Sequence, residues 1–298
     1  MPKNQVNRCF SAALFITLMC TTGLSIAGQK TEKTEQPTTP NTLRSSEAKQ
    51  GFKRLFDGKS LDHFKAASKE AIPSCWVVQD GQIICMPRDP QSKGLRGSIV
   101  TKKQYANFDF RFQYKIDPDL KKGANSGVKY FSYPDTELGL EYQLLDHDAE
   151  TRQTHALGDL YDLLSATERP ANPRGHWNEV RIVARGTTVQ HWLNGRKILE
   201  YQRGSASFRA AVATSKFKNR DQFGQAKQGP ILLQDHGGGF AFRNLRIKTL
   251  TAENEKNGYQ DHGKERHEST KSQIVHKDLS RHSRSYCPGP VRARTRRQ

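Results

Sequence analysis

This 298-residue chain has no phosphate loop, no nucleotide-binding fingerprint and no Ser or Cys set in a nucleophilic constellation. Kinase-like, dinucleotide-dependent and triad-hydrolase chemistries are therefore set aside. Helical periodicity is scarce and no internal repeat appears, so bundles and solenoids are excluded as well. Acidic residues are outnumbered, with 30 Asp+Glu against 48 Lys+Arg and a formal charge of +18. Such an excess invites a nucleic-acid partner. The N-terminus argues against one. Lys3 and Arg8 precede an apolar run from Cys9 to Met19, and Ser25-Ile26-Ala27 supplies small residues at a cleavage point. Residues 1–27 thus read as a secretory signal peptide and predict a periplasmic or extracellular protein. Thr21, Thr22 and Gly23 interrupt the run too early for a membrane anchor, so no transmembrane segment is expected after processing.

Large apolar residues are also missing from both flanks. Residues 28–50 are rich in Thr, Glu, Gln, Pro and Ser, and residues 251–298 in Lys, Arg, His and Ser. Neither composition offsets the entropy of ordering, so both read as flexible arms around one domain at residues 51–250. Four histidines of the tail (His262, His267, His276 and His282) lack regular metal-ligand spacing. Removal of the signal peptide leaves Cys75, Cys85 and Cys287. Cys75 and Cys85 flank a hairpin turning at Asp80-Gly81, and export makes a disulfide conceivable. A two-residue turn sets Trp76 opposite Cys85, which leaves the two cysteines diagonal and weighs slightly against the bond.

Strand periodicity fills the remainder. Phe108, Phe110, Phe112, Tyr114 and Ile116 alternate with Asp109, Arg111, Gln113 and Lys115, the pattern of a half-buried strand. Trp177–Ala184 and Thr188–Leu193 read likewise, and Asn194-Gly195 turns the chain into Lys197–Tyr201. Phe240–Ile247 completes the set, with a bulge where apolar parity shifts near Arg243-Asn244. Ala206–Thr214 alone reads as a helix. Many strands and little helix predict an antiparallel β-sandwich or barrel.

Two segments put polar groups on otherwise apolar strands. In Leu140–Asp146, Glu141 and Gln143 share one face, Tyr142 and Leu144 the other, and Asp146 lies at the strand exit. In Gly229–Gly237, Leu232, Gln234 and His236 share a face. Polar side chains so placed need partners, in the protein or in a ligand. Gly237-Gly238-Gly239 would let a ligand approach the backbone closely. Trp76, Trp192 and His191 read as core, and Trp177 could belong to core or site. Asn125-Ser126-Gly127 serves equally as a turn or as part of a site, and Glu141 could instead pair with Arg243 as a strand-to-strand ion pair.

The order of Phe56-Asp-Gly-Lys-Ser-Leu61, Trp76, Asn125-Ser-Gly127, Glu141–Asp146, Trp177-Asn178, His191–Gly195, Gly229–His236 and Phe242-Arg-Asn244 resembles the bacterial 3-keto-disaccharide hydrolase domain family. The likeness spans about residues 51–250. It implies an all-β fold, a concanavalin-like jelly-roll sandwich of two antiparallel sheets. It also implies 3-keto-glucoside 1,2-lyase or 3-keto-2-hydroxyglucal hydratase chemistry in glycan breakdown, with a separate oxidoreductase making the ketone. A ketone at C3 acidifies the C2 hydrogen, so the site needs a base near C2, donors at the enolate oxygen and an acid at the leaving oxygen. Glu141, Asp146 and His236 suit proton transfer. Asn125, Gln143, Trp177, Asn178, Gln234 and Arg243 suit substrate binding. The carboxylate and imidazole set could also hold a divalent metal acting as Lewis acid, although no compact ligand motif is present. A non-catalytic, lectin-like carbohydrate-binding module is the alternative on the same architecture.

Overall fold

The computed structural model describes residues 39–251 apart from 69, 90, 92–93, 121–122 and 147–152. Residues 1–27, read as a signal peptide, together with residues 28–38 of the N-terminal arm, Cys287 and nearly all of the basic tail, lie outside these residues. Among the described residues no helix is long and apolar enough to cross a membrane.

Among the described residues thirteen strands form two antiparallel sheets. They are β1 (Lys53–Arg54), β2 (Phe64–Ala66), β3 (Trp76–Gln79), β4 (Gln82–Cys85), β5 (Ile99–Tyr105), β6 (Phe108–Ile116) and β7 (Asn125–Tyr130). There follow β8 (Leu140–Leu145), β9 (Asn178–Arg185), β10 (Thr188–Leu193), β11 (Arg196–Gln202), β12 (Gly229–Leu233) and β13 (Phe240–Thr249). One sheet runs β11-β10-β9-β6-β13-β4-β3, with β1 also on β13, and the other runs β2-β5-β12-β7-β8. The crossovers make this the concanavalin-like jelly-roll sandwich that the family resemblance implied.

The period-2 pattern explains the core. Phe108, Phe110, Phe112 and Tyr114 of β6 are at most 1% exposed, and Phe112 and Tyr114 meet Phe242 and Phe240 of β13. From the facing sheet come Val128, Tyr130, Tyr142, Leu144, Ile231 and Leu233, all essentially inaccessible. Burial of each such side chain contributes roughly 1.5–3 kcal/mol. Turn chemistry fixes the registers. Asp80 and Gly81 adopt φ of 50° and 69°, and Asn194 and Gly195 adopt 46° and 80°, the positive-φ pairs of tight hairpins. The expected bulge is present: the β13–β6 register shifts between Arg243 and Arg246, where Asn244 takes φ 56°. The helix α2 spans Ala206–Thr214, and the Ser205 side chain accepts from the Phe208 N–H as its cap.

Part of the segment read as a flexible arm is packed. A short helix, α1 (Ser45–Lys49), brings Glu47 to 4% exposure, where Arg246 Nε donates to it at 2.6 Å. Asn41 donates through its amide to the Gly81 carbonyl at 2.8 Å and accepts from the Asn244 N–H at 2.8 Å. Composition concealed this because a few specific polar contacts, rather than an apolar face, hold the segment.

His191 is a core histidine, as its parity suggested. It is inaccessible, with Nε2 2.7 Å from the Tyr130 hydroxyl and Nδ1 2.9 Å from the Gly158 carbonyl. Burial lowers its pKa from the ordinary 6.5 to about 4. The unfolded chain therefore binds this proton at a higher pH than the folded one, so stability falls as pH drops from about 6.5 toward 4. The expected loss is on the order of 3 kcal/mol. Thermal melts across that range should show the decline, and a His191→Gln protein should show a shallower one. An unchanged slope would contradict a neutral buried imidazole. Trp192 departs from expectation. It is only half-buried and carries the Arg181 guanidinium 5.2 Å above its ring, because the inward positions of β10 are Val189, His191 and Leu193.

Candidate functional site

The outer face of the five-stranded sheet gathers the two polar motifs. Register pairs Gly127 with Gln143 and Lys129 with Glu141 across β7–β8, and Leu232 with Lys129 across β12–β7. Asn125, Gly127 and Lys129 consequently share a face with Glu141 and Gln143, while Ser126, Val128 and Tyr130 point inward. Asn125-Ser126-Gly127 is thus the start of a strand rather than a turn. Gln234 follows β12, its N–H donating to the Gly127 carbonyl at 2.9 Å and its carbonyl accepting from the Ser126 hydroxyl at 2.8 Å.

These residues line a cavity of about 180 Å³ bounded by Asn125, Lys129, Glu141, Gln143, Gln234 and His236, with Tyr161, Lys216 and Phe217 as further walls. Asn125 and His236 also line an adjoining groove of about 850 Å³ with Arg88, Asp117, Asp119 and Leu120. That volume lies within the range of small-molecule sites. Gln234 Oε1 is buried and lacks a hydrogen-bond partner in the structure. It is an acceptor suited to a ligand hydroxyl.

Glu141 is the chemical centre of the cavity. It is 7% exposed, and its Oε2 lies 3.6 Å from Lys129 Nζ, which itself donates to the Glu137 carbonyl at 2.9 Å. With the Gln143 amide turned to satisfy both of its ends, its nitrogen donates to Glu141 Oε1 at 3.2 Å and to the Ser126 carbonyl at 3.3 Å. Gly127 makes room for the carboxyl, since a Cβ there would lie 2.2 Å from Glu141 Oε1. Burial pushes the Glu141 pKa above the ordinary carboxylate range, against the opposing pull of Lys129, Lys216 and His236. A buried carboxylate held beside cations is the kind of group that serves as a proton acceptor near neutral pH.

Asp146 sits apart, its carboxylate engaged by the Arg174 guanidinium through Nε at 2.8 Å and through a second nitrogen. Arg243, Trp177 and Asn178 belong to the opposite sheet. Arg243 pairs in register with Gln113, an outward position of β6; its Nε donates to Gln113 Oε1 at 2.8 Å and its guanidinium lies 4.0 Å over the Trp177 ring. The parity of β6 thus sends Arg243 and Trp177 to the far side of the sandwich. Asn178 is 3% exposed and ties loops together, accepting from the Asn172 N–H at 2.7 Å and from the Asn194 amide at 2.8 Å. A Glu141–Arg243 ion pair does not form. The Gly238 position also differs in role: a Cβ there would fall 1.9 Å from the Met86 carbonyl, so the glycine admits the protein's own backbone.

Glu141 is taken up by Lys129 and Gln143, and Asp146 by arginine, so no three-ligand cluster forms from Glu141, Asp146 and His236 among the described residues.

Sequence reasoning missed Lys129, Tyr161, Lys216 and Phe217. Lys129 was accessible through the parity of Gly127-Val-Lys-Tyr130, once that segment is taken as a strand. Tyr161, Lys216 and Phe217 come from loops without periodicity. Lys216 Nζ lies 4.1 Å from the Tyr161 ring centroid, and its backbone N–H donates to Asp162 at 2.7 Å.

Fold and cleft together define a β-sandwich with a carboxylate-bearing polar site of sugar-ring size. The 3-keto-alpha-glucoside-1,2-lyase-like domain matches residues 51–248, and the chain belongs to that family. A 3-keto-disaccharide hydrolase of Bacteroides thetaiotaomicron is 28% identical over 239 residues, covering 67% of this chain and 79% of the relative. A crystal structure from Parabacteroides distasonis, provisionally described as a glycosyl hydrolase, has a TM-score of 0.63 at 30% identity and covers 72% of this chain and 100% of its own. A second, similarly described structure from that organism has a TM-score of 0.51 at 25% identity, with 67% and 99% covered.

Proposed function

We propose that the chain is an exported carbohydrate-active enzyme that cleaves 3-keto-glycosides by elimination and hydration, a net hydrolysis of the glycosidic bond. The carrying observation is Glu141, a buried carboxylate of raised pKa at the floor of a polar cleft, in a chain of this family. The Glu141 carboxylate takes the C2 proton, and the C2–H electron pair forms the C1=C2 bond through the enolate of the C3 ketone. The C1–O bond then breaks, and the exposed His236 side chain delivers a proton to the departing oxygen. Water added at C1, with return of a proton to C2, completes the hydrolysis. Lys129 and Gln143 orient Glu141. Lys216, Asn125 and the unpartnered Gln234 Oε1 provide polar contacts for the enolate and the sugar hydroxyls. The paired carboxylates of ordinary glycosidases are not required. The ketone must be installed beforehand by a separate oxidoreductase acting on an unmodified glycoside.

Incubation with an aryl 3-keto-glucoside should release the aryl alcohol with saturation kinetics. Saturable binding without release would favour the lectin-like module instead.

A further inference from the structure

We propose that Cys75 and Cys85 form a redox-active dithiol site, at which a small-molecule disulfide of the glutathione type closes an intramolecular bond across the β3–β4 hairpin. Both thiols are free and buried. Cys75 precedes β3, its carbonyl accepting from the Met86 N–H at 2.8 Å, while Cys85 pairs in register with Trp76. The two are diagonal on the hairpin, yet their sulfurs converge. Cys75 Sγ lies 3.7 Å from Asp235 Oδ2 and Cys85 Sγ 3.6 Å from Asp235 Oδ1, and all three groups gather within 4.8 Å of one another. Rotation of the cysteine side chains is what must bring the sulfurs to the disulfide separation of about 2.05 Å.

Two thiols and a carboxylate could equally describe a zinc site, but the carboxylate is already committed. Arg96 grips both Asp235 oxygens, and the Gly97 and Gly237 N–H groups donate to it at 3.0 and 3.1 Å. A guanidinium in that position opposes a cation. Cys75 is the accessible member, lining a surface cavity of about 450 Å³ with Met86, Arg88, Leu95 and Arg96, whereas Cys85 is 1% exposed. The closeness of the two thiols shifts their pKa values apart, lowering that of Cys75 and raising that of Cys85. Cys75 is therefore the attacking sulfur.

The exchange balances. The Cys75 thiolate attacks one sulfur of the external disulfide, forming a mixed disulfide and releasing one thiolate, which takes up a proton. Cys85, giving up its proton, attacks Cys75 Sγ and expels the second thiol. The oxidant gains two electrons and the hairpin loses two. Asp235 keeps Arg96 and both backbone donors, so the adjoining His236 segment stays anchored and the new bond acts as a staple.

The full chain, reduced and then treated with oxidised glutathione, is digested without reductant and mapped by mass spectrometry. The expected product is a linked peptide pair joining Cys75 to Cys85, reversed by dithiothreitol, with a melting temperature raised by several degrees. In a Cys85→Ser chain, glutathione should remain attached at Cys75, and in a Cys75→Ser chain Cys85 should stay unmodified. The proposal is overturned if both thiols of the parent chain remain alkylatable after the treatment, if either pairs with Cys287, or if co-purifying zinc protects them.

Discussion

A Glu141→Gln protein should lose turnover of a 3-keto-glucoside by roughly 10²–10⁴-fold in kcat/KM while keeping its fold and its affinity for the sugar. Glutamine preserves the shape, and its amide oxygen can still accept from Lys129, so the buried ammonium keeps a partner. What disappears is the ability to take a proton. The parent should also lose activity on the acid side at a higher pH than an ordinary glutamate would dictate. Burial raises the Glu141 pKa, and the group must be deprotonated to act as base, so activity climbs as pH rises through that value. The residual activity of the variant should lack that limb. Turnover within tenfold of the parent would remove Glu141 from the base role, and an unfolded variant would be recognised by its circular dichroism and melt.

The second large effect concerns the substrate. Matched glucosides differing only in the oxidation state of C3 should be separated completely, with the ketone cleaved and the alcohol left intact. Without the ketone the C2 hydrogen has no enolate into which to ionise; the other carboxylate lining the Glu141 cavity, Glu137, accepts from the Ser98 N–H at 3.2 Å, and Asp146 is held by Arg174. Binding of the unoxidised glucoside can persist, since Asn125, Gln143 and Gln234 contact hydroxyls as readily as a carbonyl.

Much of the fold was legible because one physical signal, alternation along strands, recurs without conflict. β6 and β10 and the turns at Asp80-Gly81 and Asn194-Gly195 follow from side-chain parity and positive-φ chemistry alone. The site was legible only where it lies on strands. Glu141, Gln143, Gln234 and His236 were found together because their parity puts them on one face and register brings the strands side by side. Arg243 and Trp177 were misplaced because sequence order does not say which sheet a strand joins, and the pairing of β13 with β6 carries them to the other surface. Tyr161, Lys216 and Phe217 were invisible for the complementary reason: loops carry no period, and only the packed chain shows where they return. The N-terminal arm gave a subtler error. Glu47 and Asn41 are buried through a few specific polar partners, which composition does not register.

Cleavage of a 3-keto-glucoside in deuterium oxide, with the mass of the released sugar read beside an enzyme-free control, tests the elimination most directly. Removal of the C2 proton followed by hydration predicts that the released 3-keto sugar carries solvent deuterium at C2 from the first turnovers, ahead of any exchange in the control. A released sugar that retains its original C2 hydrogen would contradict the account, because direct displacement at C1 leaves that bond untouched.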